Sequence, residues 1–279
     1  MSMQPILPTI KYYLVDHPTI TNFEWNNEIT PFSSLHFLIF TIISYLSLTY
    51  LLSHSSLFTL PPPLLRFISA VHNLTILLLS FIMAVGCTLS TLSQMPTPHW
   101  IFCFPANHTP PRGPTFFWAY IFYLSKILEF IDTLLIILSG SIGRLSFLHV
   151  YHHATVLIMC YIWLQTSQSL FPVALVTNTA VHTVMYGYYF MCAVGIRPSW
   201  KRLVTDCQIV QFVFSFCVSG VMLYYHFKRY PCSGIMGWCF NAVFNASLLY
   251  LFLDFHSKNY KKKKQQLRME GDKDKDKVF

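Results

Sequence analysis

Long apolar segments recur along the whole chain, and no other feature constrains its fold as strongly. A helix needs about 20 mainly apolar residues to cross a hydrocarbon core of roughly 30 Å. With 54% hydrophobic and only 11% charged residues, the 279 residues are also too apolar for one ordinary soluble domain. We therefore predict an all-α integral membrane protein with seven transmembrane helices, near residues 35–53, 67–90, 115–139, 148–166, 171–193, 203–226 and 236–255. Few residues separate the fourth and fifth segments, so six spans is the alternative count.

The segments outside the spans divide the chain into three parts. Residues 1–33 form a polar leader without the basic-then-apolar pattern of a cleavable signal peptide, so we expect the first span to act as an uncleaved insertion signal. Residues 34–256 contain all the spans and form the membrane domain. Residues 257–279 are too highly charged to pack against a core, and we expect them to form a disordered basic tail.

The basic residues indicate how the chain is oriented in the membrane. The net charge is +8, but nine of the 19 Lys and Arg residues lie beyond residue 255, immediately after the last span. Because cytosolic flanks are enriched in Lys and Arg, this distribution predicts a cytosolic tail rather than a nucleic-acid-binding surface. With seven spans, the leader and the loops near 91–114 and 227–235 then lie on the opposite, luminal side. The other loops are nearly balanced in charge, so the orientation depends mostly on the tail.

Two features of the predicted luminal face can report on this topology. Cys103 and Cys232 lie in loops assigned to that face, where an oxidising compartment favours a disulfide; two free thiols are the alternative. Asn107, His108 and Thr109 form an N-glycosylation sequon in one of these loops. Because Asn107 lies close to the membrane, the sequence is compatible with either a glycosylated or an unmodified Asn107.

The third and fourth spans carry ionisable side chains, which cost about 2.5 to 3.5 kcal/mol each in the membrane and therefore indicate function or pairing. In the third span, spacings of three and six residues place Lys126, Glu129 and Asp132 on one helical face. A structural salt bridge is the alternative explanation there. The fourth span opens with His149, His152 and His153, of which the first and last share a face.

The fifth and sixth spans carry neutral polar side chains at helical spacing. In the fifth span these are Asn178, His182, Tyr186 and Tyr189, which form a stripe of hydrogen-bonding groups nearly three turns long. In the sixth span, Gln208 and Gln211 share a face, and each alone is equally compatible with a hydrogen bond between helices.

The depth of these four groups is the deciding observation. Adjacent helices run in opposite directions, and the polar groups lie late in the third span, early in the fourth, late in the fifth and early in the sixth. Alternation therefore brings all four to the cytosolic half of the bilayer. We predict one polar chamber that opens to the cytosol and continues into an apolar interior, a shape suited to an amphiphile with a hydrocarbon tail.

Three kinds of chemistry are compatible with such a chamber. In acyl transfer, a neutral imidazole attacks a thioester to give an acyl-imidazole, while amide and phenol donors stabilise an enolate. A di-iron desaturase or hydroxylase also uses a His-x-x-His-His box, but its iron needs several such boxes and this chain has one besides His182. A transporter with a proton relay needs polar residues along its whole path, whereas these gather at one depth. Acyl transfer fits the pattern best.

Taken together, the four polar groups resemble the signature boxes of the ELO family of very-long-chain fatty acid elongases. The boxes are Lys126-x-x-Glu129-x-x-Asp132-Thr133, His149-x-x-His152-His153, Asn178-x-x-x-His182-x-x-Met185-Tyr186-x-Tyr188-Tyr189 and Thr205-x-x-Gln208-x-x-Gln211-Phe212. The order and separation of the boxes match as well, and the sequence around the histidine box is similar to that of the plant branch of the family. The resemblance implies six helices in a bundle around a closed-ended tunnel, with a peripheral first helix.

The resemblance also implies an activity and a location. A member of this family condenses a long-chain acyl-CoA with malonyl-CoA to give 3-oxoacyl-CoA, CO2 and CoA, without a metal or other cofactor. It implies a multi-pass protein of the endoplasmic reticulum membrane that works beside a ketoreductase, a dehydratase and an enoyl reductase. Lys275 and Lys277 resemble a dilysine retrieval signal for that compartment, with a solvated charged tail as the alternative.

Roles for single residues follow from the resemblance, box by box. His152 takes the acyl group. His149 and His153 orient His152 or move protons, and His182 acts with His152 on the substrate. Lys126 and Asp132 either meet the polar part of the substrate or brace the histidine box. The remaining members line the substrate site: Glu129, Asn178, Tyr186, Tyr189, Gln208 and Gln211.

Overall fold

A computed structural model describes residues 6–55 and 59–258 of the chain. Within these ranges the secondary structure is helical, and only two isolated β-bridges join extended residues. There are ten α-helices in the described part: α1 (Ile6–Lys11), α2 (Pro18–Thr21), α3 (Leu35–His54), α4 (Pro62–Gln94), α5 (Pro114–Leu128), α6 (Phe130–Leu138), α7 (Phe147–Gln165), α8 (Phe171–Ala193), α9 (Lys201–Lys228) and α10 (Ile235–His256). A π-helical turn (Tyr12–Asp16) and two 3-10 turns (Pro98–Ile101 and Ile142–Arg144) complete the helical elements of these ranges.

The long helices confirm the prediction of an all-α protein that crosses a membrane several times. Five helices, α3, α4, α7, α9 and α10, are long and apolar enough to span a bilayer. The fifth predicted span is the 23-residue α8, whose stripe of polar side chains makes it less apolar. The third predicted span is divided between α5 and α6, of 15 and nine residues.

The break between α5 and α6 lies at Glu129. Its backbone N–H still donates to Ser125 O (2.9 Å), but the next turn tightens, because the N–H of Asp132 donates to Glu129 O over three residues instead of four (3.0 Å). The distortion therefore occurs inside the first polar box, between its cation and its second carboxylate.

Helix packing closes a ring of six elements. In order around the ring, α4 packs on α5, α5 on α7, α7 on α10, α10 on α9, α9 on α8, and α8 back on α4. The first long helix, α3, packs on α6 and α7 and buries few of its side chains. A ring of this kind leaves an interior that side chains from all six helices can line.

Residues 6–33 pack against one end of the ring. The indole N–H of Trp118 donates to Leu14 O (2.9 Å), and that of Trp25 donates to Gln165 Oε1 (3.0 Å). Val15, Ile20 and Trp25 are buried. The polar composition of this segment did not predict that it would contribute to the core.

The two predicted luminal loops meet at this same end and are linked by a disulfide between Cys103 and Cys232. Backbone hydrogen bonds join the loops on both sides of the disulfide, from Ala106 N to Pro231 O (3.1 Å) and from Ser233 N to Phe104 O (2.7 Å). Asn107 is exposed beside this link. The bonded alternative for the two cysteines is therefore the one that the structure contains.

Candidate active site

Glu129 is the centre of a buried polar cluster at the end of the ring opposite the disulfide. Its Oε1 accepts a hydrogen bond from Lys126 Nζ at 2.7 Å, and both side chains are only 1% exposed. His182 Nδ1 lies 3.5 Å from the same oxygen, and Lys126 Nζ also contacts Asn178 Oδ1 at 3.4 Å. This cluster joins α5 to the start of the polar stripe on α8, as the boxes predicted.

Asp132 is the centre of a second cluster, which joins α6, α8 and α4. Tyr186 donates its phenol hydrogen to Asp132 Oδ2 (2.5 Å), and His72 Nε2 lies 3.0 Å from Oδ1. His72 is buried, and it comes from a span in which the sequence analysis placed no site residue. Both carboxylate oxygens of Asp132 are thereby held by side chains of other helices.

The three box histidines lie in the first two turns of α7. The helix begins after Ser146, whose side-chain oxygen accepts a hydrogen bond from the N–H of His149 (3.2 Å). The rings of His149 and His153 are 4.5 Å apart, which confirms that these two share a face. His149 Nε2 contacts Thr133 Oγ1 at 2.8 Å, so the histidine box is linked directly to the box that contains Asp132.

His152 projects from a different face of α7, into a cavity inside the ring. Its Nδ1 is buried without a hydrogen-bond partner among the described residues, whereas Nε2 is not enclosed. Phe244 of α10 stacks against the ring at a centroid distance of 6.4 Å. Asn178 and Gln211 line the cavity with His152, and its apolar walls include Phe122, Val156, Met159, Trp163 and Leu248.

Three of the predicted site residues, His152, Asn178 and Gln211, line this cavity, and the others lie outside it. The side-chain N–H of Gln208 points to Met185 Sδ (3.3 Å), and Tyr189 is 42% exposed, with its ring near those of Tyr186 and Tyr188. Gln208 therefore forms a contact between α9 and α8. Helical spacing predicted the shared face but not which members of it reach the interior.

Two groups of polar residues in and beside the site were not predicted from the sequence. The first is His72, a single histidine in α4 that belongs to none of the four boxes. Asn241 and Asn245 of α10 line the cavity together with Ser215 of α9. Their four-residue spacing places both asparagines on one face of the last span, and this spacing is the signal in the sequence that could have predicted them.

The described residues, 6–55 and 59–258, contain no group of three or more His, Cys, Asp or Glu side chains that could hold a metal ion. That the reaction uses no metal or cofactor stays a prediction.

The ring of helices and the cavity that His152 lines define a class of protein: a multi-pass membrane protein with an internal cavity. Comparison with known proteins identifies the family. The chain matches the ELO model, described as the GNS1/SUR4 family, over residues 30–268. The chain belongs to this family, so the resemblance of its four boxes is confirmed.

Named relatives agree with the family match. The chain is 37% identical to "Fatty acid elongase A" of Dictyostelium discoideum over 256 residues, which covers 88% of this chain and 90% of the relative. It is 31% identical to "Fatty acid elongase 3-like" of Arabidopsis thaliana over 269 residues, 90% of this chain and 92% of the relative. It is also 34% identical to "Very long chain fatty acid elongase 5" of Xenopus laevis over 221 residues, 74% and 69% of the two chains.

Proposed function

We propose that this protein is the condensing enzyme of fatty acid elongation, a very-long-chain 3-oxoacyl-CoA synthase. Its substrates are a long-chain acyl-CoA and malonyl-CoA, and its products are a 3-oxoacyl-CoA longer by two carbons, CO2 and CoA. Membership of the ELO family and its elongase relatives support the activity. The observation that carries the site is the position of His152, which lines a cavity inside the ring together with Asn178 and Gln211.

The first half-reaction transfers the acyl group to His152. The lone pair of its neutral Nε2 attacks the thioester carbonyl, and the C–S bond breaks as the CoA thiolate leaves and takes up the imidazole proton. The acyl-imidazole that forms holds the hydrocarbon chain in the cavity. Asn178 and Gln211, which line the cavity beside His152, supply amide donors for the oxyanion.

The second half-reaction returns His152 to its starting state. Malonyl-CoA loses CO2, the resulting enolate carbon attacks the acyl carbon, and the C–N bond breaks as the imidazole leaves and takes up a proton from solvent. His182 and Tyr186 follow Asn178 on α8 at spacings of four residues and serve this step as hydrogen-bonding groups. Lys126 and Asp132 brace the histidine box, because their partners are protein side chains. His149 and His153 orient the box and move protons, and no metal takes part.

The same proposal includes the finer architecture and the location. Seven helical segments cross the endoplasmic reticulum membrane, with α5 and α6 together forming one span. Six of the segments surround the substrate tunnel, and α3 is peripheral; the closed ring of helix contacts supports this arrangement. Residues 1–33 are luminal, 34–256 form the elongase domain, and 257–279 are cytosolic. The retrieval signal at Lys275 and Lys277 lies outside the described residues.

The 3-oxoacyl product implies partners. A ketone two carbons from the thioester must be reduced, dehydrated and reduced again to give a saturated chain. We therefore expect a ketoreductase, a dehydratase and an enoyl reductase to work beside this enzyme in the same membrane.

Detection of a covalent acyl-enzyme tests the proposal. Purified protein is incubated with a long-chain acyl-CoA alone, and its intact mass is measured before and after malonyl-CoA is added. We expect one acyl adduct that hydroxylamine removes and that malonyl-CoA converts into 3-oxoacyl-CoA. His152→Ala should form neither adduct nor product, whereas His36→Ala, at an exposed position on α3, should form both.

Two outcomes contradict parts of this proposal. Condensation that survives His152→Ala overturns the acyl-imidazole mechanism while leaving the activity in place. Absence of condensation with every acyl-CoA, together with stoichiometric bound iron in the purified protein, overturns the condensing function in favour of di-iron chemistry.

A further inference from the structure

The deep part of the cavity carries polar side chains where a hydrocarbon chain needs none. Below Gln211, α9 presents Ser215 and Ser219, each one turn further from the histidine end. Opposite them, α10 presents Asn241 and Asn245, also one turn apart. The sequence predicts an apolar interior beyond the polar chamber, and this stretch contradicts that prediction.

These side chains lie on the path of the acyl chain. The cavity that contains His152 and a second cavity further along the ring share Ala174, Thr177, Ser215 and Asn241 as lining residues. The second cavity continues to Leu170 and Val218, toward the disulfide end. An acyl chain attached to His152 and extended along this path therefore passes the two asparagines.

Hydrogen bonds between helices involve only some of the polar atoms in this group of serines and asparagines. Asn245 Nδ2 donates to Ser215 Oγ (3.2 Å) and to Asn241 Oδ1 (3.4 Å), which links α10 to α9. Polar bonds of this kind commonly hold membrane helices together. Asn241 is only 5% exposed, yet its Nδ2 makes no hydrogen bond within the described residues and is not enclosed. Asn245 Oδ1 likewise makes no hydrogen bond within the described residues and is not enclosed.

The asparagine pair therefore presents one unused donor and one unused acceptor to the cavity. Amide N and O atoms are assigned from their surroundings, but flipping both amides only exchanges which residue offers which group. Against a plain alkyl chain, both groups would lose water without gaining a partner, which is unfavourable. A ligand group that donates and accepts at one point would satisfy both.

We propose that the asparagine pair, Asn241 and Asn245, is a recognition site for a hydroxyl group carried partway along the acyl chain of the substrate. This inference rests on the proposed condensing function and names its substrate class as hydroxylated long-chain acyl-CoAs. The hydroxyl accepts from Asn241 Nδ2 and donates to Asn245 Oδ1. A carbon–carbon double bond offers no donor and only a weak acceptor, so it matches the pair less well.

Competition between acyl-CoAs of equal length tests this site. Purified enzyme receives an unsubstituted acyl-CoA mixed with one member of a series in which the hydroxyl moves along the chain, and the 3-oxoacyl products are counted by mass spectrometry. We expect the wild type to prefer the hydroxylated chain at one or two adjacent positions by roughly fivefold or more. At other positions the hydroxyl should lower kcat/KM, because it meets apolar walls.

Two variants locate the effect. Asn241→Leu removes the unused donor together with Oδ1, the acceptor of Asn245 Nδ2, at similar size, and should abolish the positional preference, measured as the ratio of hydroxylated to unsubstituted products. Thr177→Val is the matched control, because Thr177 lines the same cavity but its hydroxyl bonds to Val173 O at 2.9 Å in its own helix. The control should keep the wild-type preference.

The outcomes separate this inference from the proposed function. A wild type that elongates unsubstituted chains but shows no preferred hydroxyl position overturns the inference and leaves the function standing, and this measurement needs no variant. A preference that survives in folded Asn241→Leu, or an equal preference for a double bond at the same position, also overturns it. Failure to elongate any acyl-CoA overturns the proposed function and the inference with it.

Discussion

His72 and Asp132 lie 60 residues apart in the sequence, and His72 Nε2 is 3.0 Å from Asp132 Oδ1. Tyr186 donates to the other carboxylate oxygen, so one side chain on α6 joins α4 to α8. The packing of α4 on α8 is the most extensive between any two described helices. The arrangement fixes Asp132, and through its neighbour Thr133 it also fixes His149.

His72→Ala should lower kcat without comparable change in KM. It removes one partner of a buried carboxylate, and a hydrogen bond to a charged group contributes about 1.5 to 3 kcal/mol. If this loss disturbs the position of the histidine box, the rate should fall roughly 10-fold to 150-fold. His72→Gln keeps an amide donor and should recover part of the loss. The measurement is the initial rate of condensation in detergent.

The matched control for His72 is His54→Ala, because His54 lies exposed at the end of α3 and, among the described residues, its ring nitrogen bonds to Ser53 and Tyr50 of the same helix. It should behave as wild type. If His72→Ala and His72→Gln lose stability to the same degree and kcat stays unchanged in the folded fraction, His72 only stabilises the fold.

Lys126→Met should destabilise the protein strongly. Lys126 and Glu129 form an almost fully buried ion pair, and the ammonium group also lies 4.2 Å from the centre of the Phe122 ring. Removal of one partner of such a pair leaves a buried charge and typically costs about 3 to 5 kcal/mol. The temperature at which half the protein is lost from the size-exclusion peak should therefore fall clearly.

The double variant Lys126→Met and Glu129→Gln is the control for that prediction. It removes both charges, so its stability should lie nearer to wild type than that of Lys126→Met alone. A single variant as stable as wild type would show that Glu129 finds another partner, with His182 the nearest at 3.5 Å.

Ser146→Ala should cost about 1 kcal/mol of stability, because the hydroxyl caps the helix on which the three box histidines lie. Ser146→Asp restores a capping acceptor and should recover the loss. The thermal stability of the three proteins is compared in the same detergent. Equal stability of Ser146→Ala and wild type would indicate that packing of α7 in the ring, rather than its cap, sets where the helix begins.

The sequence predicted an all-α membrane protein because bilayer thickness sets a length that hydropathy reveals directly, and five of the described helices are long and apolar enough to cross a membrane. The seven predicted spans fall on helices of the described residues, apart from Glu129, Ser139 and Thr166, and the start of α7 falls within one residue of the predicted position 148. The boxes predicted the meeting of Lys126, Glu129 and His182, because antiparallel neighbours place these groups at one depth. Periodicity and alternation were sufficient for both predictions.

Other features depend on packing that no local pattern reveals. The break at Glu129 arises from a tightened turn inside an apolar run, where hydropathy is unaffected. His72 is a single histidine in α4 until the packing of α4 on α8 brings it to Asp132. Tyr189 shares the helical face of Tyr186, but a small rotation of α8 decides that one is buried and the other 42% exposed.

Asn107→Gln should abolish the mobility shift that a glycosidase produces, if the end with the disulfide is luminal. Asn107 is exposed beside the Cys103–Cys232 link, so both features report on the same face. Thiol labelling under denaturing conditions should find two more reactive thiols after reduction than before, and no such increase in Cys103→Ser with Cys232→Ser. A glycan attached at an engineered sequon in the tail would show that the tail is luminal and contradict the predicted orientation.

Ala174→Phe should shorten the longest acyl chain that the enzyme accepts. Ala174 lines both cavities, at the place where the one that contains His152 passes into the deeper one, so a large ring there closes the passage. Short acyl-CoAs, which do not reach it, should be elongated at nearly the wild-type rate. Ala180→Phe adds the same ring to an exposed position of the same helix and should leave the length preference unchanged. The measurement is the product length over a series of acyl-CoAs. A uniform loss of rate at all lengths would contradict the prediction and place the acyl chain elsewhere in the ring.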